Sequence, residues 1–234
     1  MKRLAMLAVS ATMFPAAVLA DTIGTYVAGD AQQTQEMTIS YKDDQHVRMD
    51  VGQGNYLLVT GVKAYMVSNQ GGRLMAIDMD SIPKFAIPKA KPANLADFKI
   101  TKTTRTETIA GIQGDVYEIT YDNQKHETVL SPDKRALGLN KAFLAMAKRL
   151  AQSLGADNAA EIELATREAQ KRGYGGLLRS DRNLVLQSVA DKTMPAGYYE
   201  LPPGVAPMQL PKMPQMDPSA MQQMQRLMQE GPGE

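Results

Sequence analysis

The chain has 0 cysteines and 0 tryptophans, and only 4 phenylalanines and 2 histidines among its 234 residues. Without thiols there is no disulfide framework, no thiolate metal site, no cysteine nucleophile and no acylated cysteine of a lipoprotein. His46 and His126 are the only imidazoles. A histidine metal site or catalytic pair therefore requires the fold to bring these two together, and a solvated strand position is the simpler reading for each. Charge of one sign is lacking as well. The 26 basic residues face 25 acidic ones, which gives no electrostatic reason to expect nucleic acid or a general attraction to anionic lipid. Catalytic patterns are missing too: there is no Gly-x-Ser-x-Gly elbow, no His-Glu-x-x-His and no Gly-x-x-x-x-Gly-Lys loop. The expectation is a protein that performs no covalent chemistry and holds no metal or cofactor.

What is present begins with a leader. Lys2 and Arg3 precede a run from Leu4 to Leu19 that is apolar apart from Ser10 and Thr12, and Val18 and Ala20 place small side chains at a cleavage site. That pattern predicts a signal peptide over residues 1–20, cut after Ala20, and a periplasmic mature protein. A membrane anchor fits less well, because Pro15 breaks a run that must reach roughly 18 residues to span a bilayer. Loss of Lys2 and Arg3 with the leader leaves the chain near neutral. With 44% hydrophobic residues it is long enough to fold by packing alone. The 16 methionines suit a soft interior or an adaptable binding surface.

From Gln35 to Met79 the pattern has period two. Met37, Ile39 and Tyr41 alternate with Thr38 and Ser40, and Val47, Met49 and Val51 alternate with His46, Arg48 and Asp50. Polar and glycine-bearing turns separate these runs from Tyr56–Thr60, Lys63–Ser68 and Arg73–Met79, which predicts a meander of antiparallel hairpins. Ser81–Phe98 is broken by Pro83, Pro88 and Pro92 and reads as a loop pinned by Phe85, Ile87 and Leu95. Strands resume at Phe98–Thr108, Asp115–Tyr121 and Lys125–Leu130, with Tyr117, Ile119 and Tyr121 as the apolar face of the middle one.

Ser131-Pro132-Asp133 opens a helical section. Phe143, Ala147, Leu150, Ala151 and Leu154 share one helical face, while Lys141, Lys148 and Arg149 lie elsewhere around it. Gly155 is a stop, and Asp157 caps a second helix to about Arg172. Leu177-Leu178, Asn183–Ala190 and Gly197–Leu201 then read as closing strands. The predicted fold is mainly β within an α+β class: a curved antiparallel sheet or half-open barrel over residues 21–205, with a helical pair inserted at about 136–172 and covering one face.

On these elements the chain resembles the LolA/LolB-like periplasmic proteins and a related exported family of unknown function. The stretches that carry the resemblance are Tyr41–Asp50, Leu57–Met79, Glu107–Tyr121 and Tyr199–Val205. It implies a half-open barrel with helices over an apolar cavity, which in the well-known members holds lipoprotein acyl chains. The expected mature chain departs from those carriers in starting almost directly at strand Ile23–Val27, in having Lys42-Asp43 where they have Arg-Pro, and in lacking tryptophan.

The alternation assigns Met37, Ile39, Tyr41, Val47, Met49, Val51, Tyr117, Ile119 and Tyr121 to one concave side, where they are expected to bind a hydrophobic or amphipathic ligand such as a lipid or acyl chain. Arg48 stands in a setting where the resemblance also places an arginine; its plain role is a cross-strand charge pair. Asp78 and Asp80 lack the further oxygen ligands of a calcium loop and read as a polar strand end. Gly173-Tyr174-Gly175-Gly176 reads as a helix-ending turn and not as a phosphate loop. Residues 206–234 form a Met, Pro and Gln tail. Its Met208, Met213, Met216, Met221, Met224 and Met228 fit a disordered segment, a stripe that docks on an envelope protein, or a thioether site for copper(I).

Overall fold

The computed structural model describes residues 20–29, 34–82, 99–121, 124–154, 171–181 and 183–209. The predicted leader, the loop between residues 83 and 98, the second helix and the tail beyond residue 209 lie outside these residues.

One open, curved sheet of twelve strands dominates the fold. In chain order the strands are β1 (Asp21–Gly29), β2 (Thr34–Asp43), β3 (His46–Asp50), β4 (Tyr56–Thr60), β5 (Lys63–Gln70) and β6 (Arg73–Asp78). They continue as β7 (Lys99–Ile109), β8 (Ile112–Tyr121), β9 (Gln124–Ser131), β10 (Gly176–Ser180), β11 (Leu184–Lys192) and β12 (Pro207–Met208). Helix α1 (Lys134–Leu154) follows β9. The order across the sheet is β12-β6-β5-β4-β3-β2-β1-β11-β10-β9-β8-β7. Neighbours are antiparallel except β12, which runs parallel to β6. Two meanders, β2–β6 and β7–β9, therefore sit on either side of β1, β11 and β10.

Period-two alternation gives β2 and β3 one apolar face and β4 and β5 two. Ile39, Val47, Met49, Val59 and Ala64 join the main core under α1, together with Tyr26, Val116, Val129, Leu178 and Leu186. The alternate positions Tyr56, Leu58, Val67 and Ala76 form a second cluster with Tyr199 on the outer face.

α1 is preceded by Asp133, whose carboxylate accepts the Arg135 amide at 2.8 Å and whose carbonyl accepts the Leu137 amide, as an N-cap residue does. The centre of its packed side runs through Ala136, Leu139, Ala142 and Met146, all buried. Phe143 and Leu150 flank that line, and the Phe143 ring meets Tyr26 edge-on at 5.3 Å. Two glycines let the helix approach. A Cβ on Gly24 of β1 would stand 2.3 Å from a Leu139 methyl, and one on Gly176 of β10 would stand 2.0 Å from the Ala136 backbone. The Gly173–Gly176 segment thus supplies close helix–strand contact as it leads into β10.

The segment after β11 differs from the sequence expectation. Gly197–Leu201 is a series of turns and not a strand: the Tyr198 amide bonds the Pro195 carbonyl, and the Glu200 amide bonds the Gly197 carbonyl. Pro195, Gly197, Pro202 and Pro203 favour that path over a ladder. The segment crosses the outer face as a strap, packs Tyr198, Tyr199, Leu201 and Val205 on the second cluster, and ends in β12 at the β6 edge.

Candidate functional site

On the helix-covered face, Ile39 pairs with Met49 and Tyr41 with Val47. Met37, Ile39, Tyr41, Val47, Met49 and Val51 all belong to the core cluster beneath α1. The sequence pattern placed them on one side, and the structure brings them together. Ile39 and Val47 are fully shut from solvent there, so the centre of this face is filled by the chain's own helix.

Tyr117 and Ile119 fall on the other side of β8. The residues of β8 that join the core are Ile112 and Val116, and alternation from Val116 puts Tyr117 and Ile119 on the opposite face. The Tyr117 ring packs edge-on against Tyr174 at 5.5 Å. The register explains the difference. β8 begins at Ile112, and its inward positions pair with those of β9, as Val116 does with Val129. An odd residue number therefore points a different way here than in β2. Tyr121 closes β8, and its side chain lies outside the described set.

Space remains at one flank of α1. A cleft of about 910 Å³ opens between the helix and two turns, those joining β2 to β3 and β4 to β5. Its apolar lining is Tyr41, Val59, Val62, Leu144 and Ala145. Tyr41 is the predicted ligand residue that lines it. The two turns are tied by a hydrogen bond from the Gly61 amide to the Gln45 carbonyl at 2.9 Å. Gly61 has φ +58°, the left-handed geometry that a two-residue hairpin turn requires. Val62 beside it is 73% exposed.

The polar lining is Asp43, Asp44 and Gln45 on the turn side and Lys141, Lys148, Arg149 and Gln152 on the helix. Both acids are engaged. Asp43 accepts His46 Nδ1 at 2.8 Å and the Gln45 amide at 2.9 Å. Burial opposes its ionisation, but these donors prevail and hold its carboxyl below the usual range. Asp44 accepts the Tyr41 hydroxyl at 2.8 Å. Burial first, and then this bond to a carboxylate, push the phenol of Tyr41 far up. Arg149 donates to both carboxylate oxygens of Asp80 at 3.2 and 3.1 Å. Its Nε is shut from solvent and has no hydrogen-bond partner. The sequence reading missed the helix cations as site residues. Their signal was spacing, since Lys141 and Lys148 lie two helical turns apart.

The remaining candidates serve the framework. Lys63 Nζ donates to Asp78 at 3.2 Å and to Asp80 at 2.9 Å, so an ammonium fills the space between the paired acids. His46 and His126 stand on β3 and β9, well separated in the sheet order, and His126 faces Asp181 at 2.8 Å. Among the described residues, no group of three His, Cys, Asp or Glu is gathered to hold a metal ion. The Arg48 guanidinium lies over the rings of Tyr56 and Tyr198 at 3.7 and 4.7 Å and pairs with Asp50 on its own strand. Its contacts run to a tyrosine ring of the next strand, to the outer strap and along its own strand, where its charge pair Asp50 lies.

No protein-family model matches the chain, and no curated protein matches it.

Proposed function

We propose that the chain is an exported, periplasmic binding protein of the LolA/LolB-like half-barrel type that holds a hydrophobic or amphipathic ligand and performs no covalent chemistry. The observation that carries this reading is the cleft beside α1. Its volume of about 910 Å³ lies within the usual range for small-molecule sites, which combine apolar lining with a few placed polar groups. Tyr41, Val59, Leu144 and Ala145 supply the first and the helix cations the second. The cleft on which this reading rests lies at the flank of α1, which itself packs over the buried Ile39 and Val47.

A fluorescent fatty-acid probe tests the reading. The full chain is expected to bind it. Deleting residues 210–234 should leave binding nearly unchanged, whereas Val62→Asp, at an exposed position, should weaken it with circular dichroism unchanged. Loss on tail deletion with retention in the Val62 variant would transfer the function to the methionine tail, as a copper(I) site or an envelope-partner segment. No binding by the full chain would overturn the proposal.

A further inference from the structure

One row of side chains crosses the helix-covered face of the first meander. Ile39 pairs with Met49, Met49 with Leu57, Leu57 with Met66, Met66 with Ile77, and Ile77 with Met208 of β12. Directly paired residues point to the same side of a sheet, so the row is one continuous apolar band. Its exposure rises outward. Ile39 is fully buried and Met49 nearly so, Leu57 is half-buried, and Met66 and Met208 are 40% and 49% exposed. Ile39, Met49 and Leu57 belong to the main core under α1, whereas among the described residues neither core cluster includes Met66, Ile77 or Met208. The core thus runs out from beneath the helix into a methionine-bearing band at the β6 edge, a surface that another apolar element can cover.

We propose that this band is the docking site of the chain's own segment 217–228. The band ends at Met208, and the segment follows in the same chain, so it is tethered at the rim of the site. The connecting residues 209–220 reach at most about 40 Å when extended, while the step from β12 back to β5 is two strand spacings, about 10 Å. A partner tethered within reach acts at roughly millimolar effective concentration. Pro211, Pro214 and Pro218 cannot donate to a ladder, so the connection does not prolong β12 along β6. The sequence of the segment supplies matching chemistry. Asp217 and Pro218 favour a helix start, and Met221, Met224, Leu227 and Met228 recur at helical spacing among Gln222, Gln223, Gln225 and Arg226. Alone, so short a helix is marginal in water. Seated on the band, its stripe leaves water together with Met66 and Met208, and methionine on both sides adapts each surface to the other. The cleft lining includes none of the band, so this inference stands independently of the binding reading.

A chain with 0 native cysteines permits a paired-thiol test in the full-length protein. Met66→Cys combined with Met224→Cys is expected to give an intramolecular disulfide under mild oxidation of dilute protein. Val62→Cys combined with Met224→Cys should give several-fold less, although Val62 is the more exposed position at 73%. Thioether oxidation by dilute hydrogen peroxide, read by peptide mass spectrometry, gives a second measure without thiols. Met221→Gln, Met224→Gln, Leu227→Gln and Met228→Gln together should make Met66 oxidise several-fold faster, while Met194, packed on the outer cluster, keeps its rate. Equal disulfide yield at the two positions with equal Met66 oxidation would overturn the proposal, since a segment without a seat reacts wherever a thiol is exposed. A disulfide-linked dimer as the main product of the Met66 pair would overturn it as well and assign the band to a second copy of the chain.

Discussion

The Tyr199 hydroxyl donates a 3.1 Å hydrogen bond to Oδ2 of Asp21, joining the strap after β11 to the first residue of β1. Both residues are buried. Burial and then the neighbouring Asp21 charge drive the phenol of Tyr199 far above its ordinary range, so it remains a donor at any ordinary pH. Beside it, Tyr198 stacks on Arg48 and its hydroxyl lies 3.2 Å from that of Ser40.

Replacing Tyr199 by Phe should therefore cost about 1–3 kcal/mol, because it keeps the ring and leaves the Asp21 carboxylate buried without that donor. Urea denaturation is the measurement: the midpoint should fall with little change in slope. A midpoint equal to that of the parent chain would show that the strap adds nothing at this point.

The helix–sheet approach predicts a contrast between two glycines. Gly176→Ala puts a Cβ 2.0 Å from the Ala136 backbone, and backbone cannot swing aside. The expected result is a loss of about 3 kcal/mol or more, at or beyond the upper end for overpacking. Gly138→Ala, on the helix, meets the Thr22 side chain at 3.2 Å. Helix propensity there gains up to about 1 kcal/mol, so the net change should be small. Thermal melts of the two variants should separate clearly; coincident melts would disprove the close approach.

The face assignment is tested by truncation. Leu139→Ala and Ile39→Ala should each cost about 2–5 kcal/mol, since both side chains are fully buried and a cavity would remain. Ile119→Ala, on the opposite face and only half-buried, should cost well under 2 kcal/mol. Reversal of that order in denaturant midpoints would restore the original odd-residue assignment for β8.

Asp80 gives a pH test. Its carboxyl is held below the usual range by the Lys63 ammonium, then by Ser153, whose hydroxyl donates at 2.7 Å. A lowered folded-state pKa stabilises the fold above the unfolded value of about 4 and loses that contribution as pH falls through the folded value. The same contact raises Lys63, so that half persists up to about pH 10 and fades above it. Asp80→Asn should thus be less stable than the parent at pH 7, with the gap narrowing below about pH 4. A constant gap from pH 7 to pH 3 would show that the charge is irrelevant.

Much of the fold was legible because its hairpins are local. Alternation and turn residues located β2–β6, and the spacing of Phe143 and Leu150 located α1. Non-local pairing was not legible. Nothing near Asp21 indicates that it opposes Lys192, and the facing of Tyr117 depends on the register of β8 with β9. The turns at 195–200 were mistaken for a strand because Tyr198, Tyr199 and Leu201 are apolar, although their burial is against the outer face of β4–β6. Of the cleft, Tyr41 was foreseen. The helix cations were not, because a charged residue outside the apolar stripe is ordinarily just solvated, and only the tertiary approach of the two turns makes a wall of them.

The place of β1 between β2 and β11 also governs how the chain must assemble. The β2–β6 hairpins close over short loops, but β1 meets β11 only across most of the chain, as in the pairing of Asp21 with Lys192. Contacts of such long separation slow folding. During synthesis β1 emerges with β2 as its only available neighbour, and its second edge stays open until β11 exists. An open edge pairs readily with another copy of the same strand, so the interval between the appearance of β1 and of β11 is when nascent copies of this protein are most exposed to one another.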